Sequence, residues 1–135
     1  MISIVIPTFN EVENIVPLLK NLSLIVKDFE YEIIVVDDDS PDGTSEEVKK
    51  YMSINKRIKL ITRIGRSGLS SAIKEGLIFA KGKYLLVLDG DGQHHPSFIL
   101  NMLEEIKRNK SDIVIGSRFP VSYTHLTLPT IGCVV

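Results

Sequence analysis

Two carboxylates separated by one glycine stand directly after the apolar run Tyr84 to Leu88, in Asp89-Gly90-Asp91-Gly92-Gln93. Carboxylate oxygens at a strand end, with little side-chain bulk around them, suit Mg²⁺ or Mn²⁺, ions that keep positions open for substrate phosphates. Gln93 adds a neutral carbonyl oxygen. A polar turn has the same composition, so this motif alone leaves both readings open. A calcium loop of the EF-hand type is disfavoured: the segment follows a strand, and Leu100 stands where such a loop places its twelfth-position Glu.

A second acidic group, Asp37, Asp38, Asp39 and Asp42, falls in Val36-Asp37-Asp38-Asp39-Ser40-Pro41-Asp42-Gly43-Thr44. Such crowding is costly unless the carboxylates are solvated or given donors. Ser40-Pro41-Asp42-Gly43 has turn composition, and Asp42 or Thr44 is placed to cap a following helix. Asp38 is suited to accept hydrogen bonds from a nucleobase N–H or a ribose hydroxyl, whereas Asp37 reads as an internally bonded structural group. A third polar cluster, Pro7-Thr8-Phe9-Asn10-Glu11, follows the first apolar run.

Other candidates favour structural readings. His95 sits where an N-cap is expected before Pro96, which weighs against His94 and His95 as ligands. Arg63, Arg66 and Lys74 are expected to be solvated bases at loop and helix surfaces. Gly68-Leu69-Ser70-Ser71 is compatible with anion binding at a helix start and equally with simple helix initiation.

The elements that must position these groups are short and alternate. Ile2 to Ile6, Ile33 to Val36, Ile58 to Ile61, Tyr84 to Leu88 and Ile113 to Ile115 read as buried strands. Helices are expected over about Glu13 to Lys27, Ser45 to Met52, Gly68 to Lys81 and Pro96 to Lys110. The second has Thr44 as N-cap with Glu47 three residues on; the third stops at Gly82, a candidate left-handed residue; the fourth starts at an N1 proline. Strands this apolar, alternating with helices, imply a mainly parallel sheet covered on both faces. Ligands in such sheets sit beyond the carboxyl ends of the strands, and all three polar clusters follow strands, so they are expected on one rim.

With 135 residues the chain suffices for one domain. Sixteen basic against seventeen acidic side chains, a formal charge of −1, give no global field that selects nucleic acid or an anionic membrane. The single cysteine, Cys133, forms no internal disulfide, which suggests a reducing compartment. No stretch approaches the ~18 apolar residues of a membrane span, and no signal sequence is apparent. Residues 120–135 contain no Asp, Glu, Lys or Arg, although these make up 24% of the chain. An apolar hairpin is one explanation, and a non-native or disordered tail is the preferred expectation.

Ile-Val-Ile-Pro-Thr-Phe-Asn-Glu, Val-Val-Asp-Asp-Asp-Ser-Pro-Asp-Gly-Thr, Gly-Leu-Ser-Ser-Ala-Ile, Leu-Asp-Gly-Asp-Gly-Gln-His-His-Pro and Asp-Ile-Val-Ile-Gly-Ser-Arg, in this order, resemble the family 2 glycosyltransferases of GT-A fold. Among these they are most similar to the dolichol-phosphate and polyprenyl-phosphate mannose synthases. The resemblance covers about Ile2 to Phe119 and implies that residues 1–119 form the N-terminal, donor-binding part of a C-terminally truncated GT-A domain. It further implies that Pro7, Phe9 and Glu11 line the nucleotide pocket, with Val36 and Asp38 beside base and ribose. Asp89 and Asp91 match the catalytic metal-binding pair, Gly90 stands where Ala is common, and Gln93 matches a third ligand. Arg118 matches a basic residue near the donor. Phe9 replaces the more usual Tyr and lacks its hydroxyl.

The function so implied is metal-dependent, inverting transfer of a hexose, mannose from GDP-mannose, onto dolichyl or polyprenyl phosphate, with Mg²⁺ or Mn²⁺ as cofactor. A lipid phosphate is already anionic near neutral pH, so no general base is assigned. The full-length protein is expected in the cytoplasm or at the cytoplasmic face of a membrane with peripheral contact, and the 135-residue chain itself is expected to be nearly inactive. The alternatives are a family 2 transferase using a UDP-sugar and a saccharide acceptor, a non-catalytic nucleotide-binding module, and a phospho-acceptor domain. A dinucleotide-binding domain is disfavoured, because no G-x-G-x-x-G follows the first strand.

Overall fold

The computed structural model describes residues 1–92, 97–115 and 132–134. Apolar runs, rich in β-branched residues in the first three, make the strands β1 (Ile2–Thr8), β2 (Tyr31–Asp37), β3 (Ile58–Thr62) and β4 (Tyr84–Leu88). Between and after them lie α1 (Ile15–Ile25), α2 (Thr44–Ile54), α3 (Leu69–Phe79) and α4 (Phe98–Asn109). Two short strands complete the sheet, β5 (Val114–Ile115) and β6 (Gly132–Val134). The strand order is β3-β2-β1-β4-β6-β5. The first four are parallel, as their helical crossovers require, and β6 runs antiparallel to both β4 and β5. Within the stretch expected to be a non-native or disordered tail, Gly132–Val134 therefore pairs in the sheet; residues 120–131 and Val135 lie outside the described residues.

Alternate strand residues feed two cores, which is why every position of β1 and β2 is buried. Ile4, Ile6, Ile33, Val35, Leu86 and Leu88 join Leu19, Leu22, Val48, Ile99 and Leu103 from α1, α2 and α4 in the larger cluster. Val5, Ile34 and Val36 face the other way and pack with Ala72 of α3.

Three helix-end expectations are corrected. α4 begins at Phe98, with Ser97 at its cap position, and not at an N1 proline. Thr44 is the first residue of α2 and not its cap. The cap position is Gly43, at φ 94, a left-handed conformation that a side chain would strain, and the Glu47 N–H bonds to the Gly43 carbonyl. Gly82 does not terminate α3 in a left-handed turn either: Ala80, extended, caps it, and its N–H bonds to the Leu77 carbonyl. Gly82 is needed for a different reason. A Cβ there would lie 2.5 Å from the Ser3 backbone nitrogen, where the Gly82 N–H donates to the Ser3 hydroxyl at 2.7 Å.

Candidate functional site

Because β1, β2 and β4 are parallel and in register, Thr8 opposite Asp37 among others, the three polar clusters reach one rim. There a cavity of about 250 Å³ is lined by Pro7 near the end of β1, Phe9 and Glu11 after it, Asp38 after β2, and Asp89, Gly90 and Asp91 after β4. Seven of the residues singled out from the sequence thus meet in one place. Thr8, Leu69 and Ala72 also line it; each falls within a motif noted in the sequence, but none was singled out, and for Leu69 and Ala72 the place in the wall depends on how α3 seats against β1 and β2.

Val36 does not line the cavity. It is fully buried in the α3-side core with Val5, Ile34 and Ala72. Gln93, His94, His95 and Arg118 lie outside the described residues. Among the described residues no group of three or more His, Cys, Asp or Glu gathers tightly enough to hold a metal; the acidic pair Asp89 and Asp91 is what the described β4 end contributes.

The loops after β1 and β2 are stitched to each other by side chains. The Asn10 N–H donates to the Ser40 hydroxyl at 2.9 Å, the Glu11 N–H to the Thr44 hydroxyl at 3.0 Å and the Val12 N–H to the Asp42 carboxylate at 3.1 Å. Asp42 also accepts from the Thr44 hydroxyl, the main reason its carboxyl is held below the ordinary range. Asn10 and Asp39 adopt positive φ, 56 and 54, at the two loop tips, a conformation Asn and Asp tolerate better than other side chains.

Asp37 is the structural carboxylate expected. It is fully buried and accepts from the Thr8 hydroxyl, the Ser40 N–H and hydroxyl, and the Ser45 hydroxyl. Asp38 has one oxygen bonded to the Gly68 N–H at 2.9 Å, so the anion at the start of α3 is the protein's own carboxylate. Its other oxygen lies 3.3 Å from Nε of Arg63. That distance makes an ion pair, but the two atoms lack hydrogen-bond geometry and both are buried.

Arg63 corrects the expectation of a solvated base. It is 1% exposed, a fully buried side chain under the rim. Its Nη2 donates to the Ser71 hydroxyl at 2.7 Å, its Nη1 to the Gly68 carbonyl at 3.3 Å, and its Nε also faces Glu75 at 3.6 Å. Arg66 pairs with the same Glu75 and, like Lys74, is exposed as expected. A buried arginine needs this many partners, since an unpaired charge there is costly.

The family model for glycosyl transferase family 2 matches residues 3–128. A dolichol-phosphate mannosyltransferase of Pyrococcus furiosus is 44% identical over 118 residues, covering 87% of this chain and 33% of that protein. One from Mycosarcoma maydis is 34% identical over 125 residues, covering 88% and 42%. This chain thus spans roughly a third to two-fifths of the length of these relatives. Among solved structures, the mannosyltransferase of Pyrobaculum calidifontis, in complex with GDP-Man and Mn²⁺, superposes with a TM-score of 0.72 at 22% identity, covering 87% of this chain and 35% of that one. S. aureus TarS in complex with UDP-GlcNAc gives 0.65 at 28% identity, covering 93% and 36%. The parallel α/β sheet is that of the GT-A glycosyltransferases, and the chain belongs to glycosyl transferase family 2.

Proposed function

We propose that this chain forms the donor-binding part of an inverting, metal-dependent hexosyltransferase that moves mannose from GDP-mannose to a dolichyl or polyprenyl phosphate. The observation that carries the reading is the convergence of Phe9, Glu11, Asp38, Asp89 and Asp91 on one cavity at the strand ends. The likeness to two dolichol-phosphate mannosyltransferases favours mannose and a lipid phosphate. The acceptor would bring the full-length protein to a membrane surface; among the described residues no helix is long and apolar enough to cross one.

Within the cavity, Phe9, 58% exposed, offers an open ring face for a nucleobase. Asp38 is placed to accept from base or ribose, and Glu11, which accepts from the Asn14 side chain at 2.9 Å, borders it. Asp89 and Asp91 would hold Mg²⁺ or Mn²⁺. They fit such an ion, because magnesium-type sites commonly use one or two carboxylates and leave the remaining positions to water and substrate phosphates. When bound, the ion neutralises the diphosphate as it leaves. Asp89 and Asp91 are in this sense the catalytic pair, and Gln93 and Arg118 are proposed as a further ligand and a donor-side base.

Calorimetric titration with GDP-mannose and with UDP-GlcNAc, each with and without Mn²⁺, tests the reading. Manganese-dependent preference for GDP-mannose is expected. The TarS likeness with UDP-GlcNAc favours a second reading, a UDP-sugar and a saccharide acceptor, and preference for UDP-GlcNAc would select it. Binding of neither nucleotide would overturn both.

A further inference from the structure

Arg63 is a buried charge that the proposed function leaves unused. Its guanidinium does not line the cavity, yet it joins every element that supports the cavity's α3 side. Nε faces Asp38, Nη1 reaches the residue that caps α3, and Nη2 reaches Ser71 in the first turn of that helix. The Arg63 N–H bonds to the Asp37 carbonyl at 2.8 Å, which fixes the guanidinium's origin at the end of β3.

Arg63 is one of the largest fully buried side chains, and its partners are polar groups. What it supplies is charge and a planar fork in a place that holds two carboxylates, Asp38 and Glu75. The Asp38 oxygen it faces has no hydrogen-bond donor among the described residues, although it is buried. That oxygen is held by charge attraction alone, turned toward the buried guanidinium. The other oxygen is spent on the Gly68 N–H. Arg63 therefore fixes the orientation of the Asp38 carboxylate, one oxygen toward its own Nε and the other on the Gly68 N–H.

We propose that Arg63 is a positioning residue for nucleotide recognition, setting the Asp38 carboxylate and the Gly68 turn from beneath the cavity without touching the ligand. This rests on the nucleotide-binding reading given above.

The test is a double-mutant cycle of Arg63→Lys and Asp38→Asn, reading the Kd for GDP with Mn²⁺ by calorimetry and Tm by thermal unfolding. Lysine keeps the charge and loses the fork. Each single change is expected to weaken GDP binding roughly tenfold, and the double change no more than the worse single one, because both act through one carboxylate. Ser71→Ala, at an exposed residue, removes one anchor of the guanidinium and keeps the proposal testable if Arg63→Lys does not fold; it should weaken GDP binding by about threefold. A merely structural arginine would lower Tm while leaving Kd within about twofold well below the transition, or give additive losses in the cycle; either result overturns the proposal. If the unaltered chain binds neither GDP nor UDP, the nucleotide reading falls first and the positioning role with it. If it binds and the Arg63 and Ser71 variants bind equally well, the positioning role alone fails.

Discussion

The hydroxyl of Thr8 donates to the Asp37 carboxylate at 2.8 Å, joining the ends of β1 and β2 where the cavity begins. Thr8 is itself part of the cavity wall, while Asp37 is fully buried behind it. The rim's shape therefore depends on a carboxylate that no ligand needs to touch.

Asp37→Asn should destabilise the fold. Four donors converge on Asp37, and an amide nitrogen placed among them would face a donor and leave it unsatisfied. A loss of about 2–3 kcal/mol is expected, measurable as a lower urea midpoint with unchanged m-value. An unaltered midpoint would mean the network contributes nothing to stability.

Gly90→Ala should also be unfavourable here, although the resemblance implies that alanine is common at this place in the family. A Cβ at Gly90 would stand 2.9 Å from Cγ2 of Thr8, a methyl held still by the bond from its own hydroxyl to Asp37. A cost of about 1–2 kcal/mol is expected from overpacking. Thr8→Ser removes that methyl and keeps the hydroxyl, so the pair Thr8→Ser with Gly90→Ala should be more stable than Gly90→Ala alone. Thermal unfolding of the three variants decides the point.

Asp89→Asn and Asp91→Asn should separate binding from folding. Both residues are half-buried at a strand end, so Tm is expected to shift by only a few degrees. The gain in nucleotide affinity produced by Mn²⁺ should fall by at least about tenfold. Equal Mn²⁺ enhancement in the variants and the parent would remove these two carboxylates from the metal site.

Acid stability should depend on Glu32, on β2 at the opposite end of the sheet from the cavity. Burial alone would raise its carboxyl, but hydrogen bonds from Lys59, Ser3 and the Lys81 N–H outweigh that and hold it below the ordinary range. A carboxyl lowered in the folded state contributes stability that is full above its unfolded value, about 4.3, and is lost as pH falls through the lower folded value. Glu32→Gln should therefore be less stable than the parent at neutral pH, with the gap narrowing once pH drops below about 4.3. A gap that stays constant with pH would show that ionisation of Glu32 does not contribute.

The strands were legible because each is an unbroken apolar run with no competing period, and one rim followed from their parallel order. Asp37 was legible as structural because crowded carboxylates are costly unless solvated or given donors, and Asp37 directly follows an apolar run. Arg63 was not: its burial depends on α3 folding back to bring Ser71 and Glu75 onto it and on Asp38 arriving from the loop after β2, whereas a lone arginine after a strand carries no such mark. Val36 was assigned to the pocket by resemblance, but its side chain is fully buried in the α3-side core with Ala72 and does not reach the cavity wall. Thr44 and Gly82 show a related failure. Each has the composition of a helix end, yet tertiary contacts to Glu11 and Ser3 use them differently.

The stitched loops after β1 and β2 have a kinetic consequence. Three cross-loop bonds and two left-handed loop tips at Asn10 and Asp39 are set during folding, so a ligand arriving at this side of the cavity meets a preorganised wall and gives up little conformational entropy to it. Differences in affinity among nucleotides should then arise in how long each stays bound rather than in how often encounters succeed.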